Sequence, residues 1–148
     1  MFRRIAFFAL AAGFSASSSL ALAQGMPRSP APEDARVYFI SPADGETLTS
    51  PVRVRFGLSG MGVAPAGTRA QHTGHHHLLI DLDESEMPSF DMPLPATEQV
   101  VHFGGGQTET EIELAPGEYR LQLLLGDHNH VPHDPPVLSD VIVIRVTD

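Results

Sequence analysis

The apolar residues of this chain recur at every second position, in short runs, and nowhere at sustained helical spacing. The clearest run is VRVRFGL at 52–58, where Val52, Val54, Phe56 and Leu58 alternate with Arg53, Arg55 and Gly57. Such alternation marks a strand with one buried face. Six more segments read as strands: 36–41, 75–82, 99–103, 108–114, 119–126 and 140–146. Turn chemistry separates them, such as PADGE at 42–46 and GGG at 104–106. The stretch DHNHVPHDPP at 127–136 is too rich in proline for a helix. Seven short strands predict an all-β fold, an immunoglobulin-like antiparallel β-sandwich, with a small β-barrel as the alternative. The Pro116-Gly117-Glu118-Tyr119 step into the sixth strand fits the tyrosine-corner region of such sandwiches.

Not all of the 148 residues are expected to belong to that fold. Arg3 and Arg4, a following apolar stretch and the small-residue triplet Ala21-Leu22-Ala23 have the form of a secretory signal peptide over residues 1–23. Residues 24–35, rich in proline and polar groups, are expected to be a mobile leader, and residues 36–148 the sandwich domain. The expected location is therefore the periplasm or the medium. The chain has no cysteine, which excludes disulfides, a lipoprotein anchor and thiolate metal ligands. Without the signal peptide it keeps seven Arg, no Lys and eighteen acidic residues, a formal charge of −11. Nucleic acid and anionic lipid need cationic surface, so neither is an expected partner, whereas cations are favoured. No membrane span is expected. With no Trp and few other rings, a sugar-binding surface is poorly supplied.

All eight histidines lie between His72 and His133. In an antiparallel sandwich the start of the third strand and the ends of the fourth and sixth fall at one pole. His75, His76 and His77 open the third strand, His102 ends the fourth, and His128, His130 and His133 follow the sixth. Parity puts His75 and His77 on the face opposite Leu78, with His76 turned inward. If the sixth strand runs on unbroken, His128 and His130 share the face of His75 and His77 on the neighbouring strand. Two His-x-His pairs, each spanning about 7 Å at Cα, can then meet around one ion. Neutral imidazoles suit zinc, copper or nickel. The expected ligands of a transition metal, copper or zinc, are thus His75, His77, His128 and His130. Secondary candidates are His72, His76, His102, His133, Asp127, Asp134 and, for a thioether to Cu(I), Met61. Asp81 is a further nearby carboxylate for orienting ring N–H groups.

Other motifs carry less. Gly57-Leu58-Ser59-Gly60-Met61 lacks the last glycine and the strand–turn–helix setting of a nucleophile elbow. Gly104-Gly105-Gly106 has no lysine and no following helix for a phosphate cradle. Glu109, Glu111 and Glu113 read as a solvated strand face.

The strings FGLSGMGVAPAG, TGHHHLLID, HFGGGQTE and LQLLLGDHNHVPHDPP together resemble a bacterial family of domains of unknown function, number 4399. The resemblance runs from about residue 40 to the C-terminus. It implies an exported domain of about this size and supplies no activity. The residues themselves favour metal handling: buffering, delivery or sensing. Two other readings stand beside it. One is a metal-free module whose histidine pole docks a periplasmic protein. The other is a metal-dependent enzyme, which needs an open coordination position and a substrate cleft.

Overall fold

The computed structural model describes residues 25–148; the signal-peptide segment at 1–23 lies outside the described residues. The strands are β1 (Arg36–Ser41), β2 (Thr47–Thr49), β3 (Val52–Ser59), β4 (Gly62–Val63), β5 (Thr73–Ile80), β6 (Val100–His102), β7 (Glu109–Ile112), β8 (Gly117–Gly126) and β9 (Ile142–Thr147). A single 3-10 turn spans Glu84–Glu86, and no α-helix forms among the described residues. The seven expected strands are present, and β2 and β4 are short additions at sheet edges. The strands form two sheets rather than a closed barrel. One has the order β1-β3-β7; the other has the order β2-β9-β8-β5-β4, with β6 also paired to β5.

The core lies between the sheets. Val37, Val54 and Phe56 of the first sheet meet Leu78, Leu121, Leu123 and Ile144 of the second. The Tyr119 hydroxyl donates to the Ala115 carbonyl at 2.9 Å, which closes the tyrosine corner. On the outer face of the first sheet, register sets Arg53 opposite Glu111 and Arg55 opposite Glu109. On this solvated face Glu111 and Glu109 pair with those arginines at 2.9 and 3.5 Å.

Two departures from the expected arrangement matter for the site. First, the outer face of the second sheet is not open to water. Leu79, Val100 and Leu124 form a second apolar cluster with Leu94, covered by Leu82, Met87, Phe90 and Leu138 from the flanking loops. β5 is therefore buried on both faces, which explains an apolar run without polar alternation. Second, β6 pairs with β5 antiparallel, setting His77 opposite His102. In an immunoglobulin constant-type sandwich the fourth strand joins the other sheet.

Residues 25–35 run along the histidine end of the domain. The Met26 N–H donates to Asp91 O, Asp134 N–H to Ser29 O, and Ala31 N–H to Asp134 O, at 2.8, 2.9 and 3.0 Å. Proline here removes few useful donors while holding the chain extended for these contacts.

Candidate metal centre

β5 carries three consecutive histidines because its two faces serve different neighbours. Leu78 faces the sandwich core, so His76 shares that face, its ring centroid 5.1 Å from that of Phe56. His75 and His77 take the other face with Leu79. A slip of one residue would exchange these sets. It would place two imidazoles in the apolar core between the sheets, where neither ring has a hydrogen-bond partner of its own.

Strand pairing then supplies the neighbours. β8 sets Gly126 opposite His75 and Leu124 opposite His77, while β6 sets His102 opposite His77. β8 ends at Gly126, and the chain turns back so that Gly126 bridges to Pro132. Within that turn His130 has φ 65°, a left-handed conformation uncommon outside glycine. The turn aims its ring at the sheet: its centroid lies 5.0 Å from that of His75 and 4.6 Å from that of His102. His75 Nε2 and His130 Nδ1 are 3.0 Å apart. Taking one ring nitrogen from each of His75, His77, His102 and His130, all four atoms lie within 4.8 Å of one another. A tetrahedral ion with bonds of about 2.0–2.1 Å sets its ligand nitrogens about 3.3 Å apart. Modest ring rotations cover that difference.

Two glycines leave room for these rings. A Cβ on Gly126 would stand 2.7 Å from His77 Cε1, and one on Gly104 would stand 2.3 Å from His102 Cε1. Neither glycine has a positive φ, so what is used here is the missing side chain.

Burial makes the rings neutral. His75 and His77 are 0% and 1% exposed. Burial, followed by the neighbouring rings of His102 and His130, lowers the pKa of His75 to about 4. Burial, followed by His75, His102 and His130, lowers His77 to about 3. His102 is exposed at the rim, yet burial of its ring and the proximity of His130 lower it too. These three rings therefore offer lone pairs at neutral pH, the form a metal requires. The Nδ1 atoms of His75 and His77 are buried without a hydrogen-bond partner. An unpaired buried polar atom costs about 1–3 kcal/mol.

The sequence-expected ligands divide. His75, His77 and His130 come together; His128 does not join them, and His102 stands in its place. The unbroken sixth strand is the assumption that fails. Past Gly126 the backbone turns, and positions two apart no longer share a face. His128 points instead to Asp127, with Nδ1 3.8 Å from Oδ2. Together with His72, His133 and Ser29 it lines a cleft of about 270 Å³ that none of the four clustered histidines lines. His133 is buried, with Nε2 3.2 Å from Thr73 O, and braces the start of β5. His76 has neither ring nitrogen hydrogen-bonded, although the backbones of Gln107 and Gly57 lie near enough to favour its charged form slightly. Burial outweighs them and lowers it to about 4.

Asp127 is nearly fully buried, but its carboxylate is occupied by Ser29 and by the N–H groups of Asn129 and Val131. Asp134 is exposed and pairs with Arg28 at 3.5 Å. Met61 packs against the core between the sheets. Asp81 lies beyond the far end of β5, where Oδ1 accepts from the Arg120 N–H at 2.7 Å. His102 was legible as a residue of this pole. Its direct pairing with His77 depended on which sheet β6 joins, and strand patterning is silent on that.

A family model described as Domain of unknown function (DUF4399) matches residues 54–147. The matched span runs from within β3 to the end of β9 and includes all four clustered histidines. No curated protein and no solved structure matches the chain.

Proposed function

We propose, for a chain that belongs to the domain-of-unknown-function family DUF4399, that its domain binds one transition-metal ion, copper or zinc, through His75, His77, His102 and His130. Its role is metal handling in the periplasm or outside the cell. The carrying observation is the approach of four ring nitrogens to within 4.8 Å, drawn from β5, β6 and the turn after β8. The unpartnered Nδ1 atoms of His75 and His77 add to it. A set of imidazoles alone suits Zn(II) and Cu(II), whereas Cu(I) prefers the sulfur ligands this group lacks. The exported location is supported by the signal-like N-terminal segment.

Titration of metal-free protein with Zn(II) or Cu(II) tests the reading. One equivalent should bind and raise the melting temperature, and a chelator should reverse both effects. Absence of binding by either ion overturns it.

The short His75–His130 contact favours a second reading, a metal-free imidazole network that braces the loops for a partner protein. In that case neither ion changes the melting temperature.

A further inference from the structure

The segment before β1 reaches the turn that carries His130. The Ser29 hydroxyl donates to Asp127 Oδ2 at 2.6 Å. The other oxygen, Oδ1, accepts from the Asn129 N–H at 2.8 Å and the Val131 N–H at 3.1 Å. These two residues flank His130. The backbone repeats the constraint: His130 N–H donates to Asp127 O and Asp127 N–H to Val131 O, each at 2.9 Å. Around this knot Arg28 donates to the Pro132 and His133 carbonyls and forms an ion pair with Asp134. The Ser29 backbone itself pairs with Asp134.

The turn needs such support. His130 sits at φ 65°, a left-handed conformation disfavoured for residues with a side chain, and the hydrogen bonds of the turn hold it there. Asp127 is buried, and its two oxygens are directed at the turn and at Ser29 rather than at the ring cluster. We propose that Ser29 is a positioning residue for the metal centre, acting on His130 through the Asp127 carboxylate. The inference rests on the metal reading above. It assigns the N-terminal segment a part in metal affinity although it contributes no ligand. Groups that orient ligands in this way change metal affinity about 10–100-fold when removed.

The test is a double-mutant cycle on the full chain with Zn(II) as the probe. Ser29→Ala should weaken binding about tenfold, and Ser29→Thr, which keeps the hydroxyl, should restore most of it. In a His130→Ala background, Ser29→Ala should change affinity less than about twofold, because the group it acts through is gone. Equal losses in both backgrounds, or no loss in either, overturn the proposal. Amide exchange of the metal-free protein separates this outcome from failure of the metal reading. Ser29→Ala should speed exchange at Asn129 and Val131 and leave Leu78 unchanged. Unaltered exchange at Asn129 and Val131 overturns the positioning role even if metal binds. If the wild type binds no Zn(II), the role in affinity falls with the metal reading.

Discussion

His77 and His102 face each other across the β5–β6 pair, with ring centroids 5.1 Å apart. This relationship joins the buried stretch of β5 to a three-residue edge strand, so one ring is fixed in the interior while the other stands at the rim. His75, two residues earlier on β5, and His130, from the turn after β8, complete the set.

Replacing single histidines should separate the four clustered rings from the rest. His77→Ala removes a central ring and should lower Zn(II) affinity at least about 100-fold, whereas His128→Ala should change it less than about twofold. Isothermal titration of both variants measures this. Comparable losses in the two would place His128 in the site and contradict the geometry.

The glycines beside the rings should be sensitive in different ways. Gly104→Ala crowds His102, which is free to swing into solvent, so stability should change by less than about 1 kcal/mol while metal affinity falls. Gly126→Ala crowds His77, which is buried with nowhere to move, so it should cost about 1–3 kcal/mol as well as affinity. Urea unfolding and metal titration, run on each variant, give the two quantities separately. Equal destabilisation by both substitutions would contradict the difference in burial.

Acid should weaken the metal-free fold before its carboxylates protonate. Burial holds His75 and His76 at about 4 and His77 at about 3, against 6.5 when unperturbed. Between those values the unfolded chain binds protons that the folded chain refuses. Stability is therefore complete above about pH 6.5 and is lost as pH falls toward 4, by at most about 1.4 kcal/mol per pH unit for each ring. Urea midpoints at pH 7.5 and pH 5 read this directly, and the pH 5 midpoint should be lower. Identical midpoints would mean that these rings are not buried in neutral form.

The fold was legible because period-two patterning reports which face of a strand is buried, as VRVRFGL does for β3. The same parity separated His76 from His75 and His77, since Leu78 has only one place to go. Two features escaped that logic. Turn geometry after Gly126 sets the directions of His128 and His130, and alternation carries no information once the strand has ended. The partner of β6 depends on long-range packing of Val100 against Leu79 and Leu124, which local pattern does not encode. The contacts of Arg28, Ser29 and Ala31 escape local pattern for a similar reason: their hydrogen bonds reach residues 127–134, about a hundred positions away.

Imidazole nitrogen NMR during a Zn(II) titration tests the metal centre most directly. One equivalent of Zn(II) should shift the ring nitrogens of His75, His77, His102 and His130 together, in slow exchange, and leave His72 and His128 where they were. Shifts confined to His72, His128 and His133, or no shifts at all, would contradict a metal centre built on β5, β6 and the turn after β8.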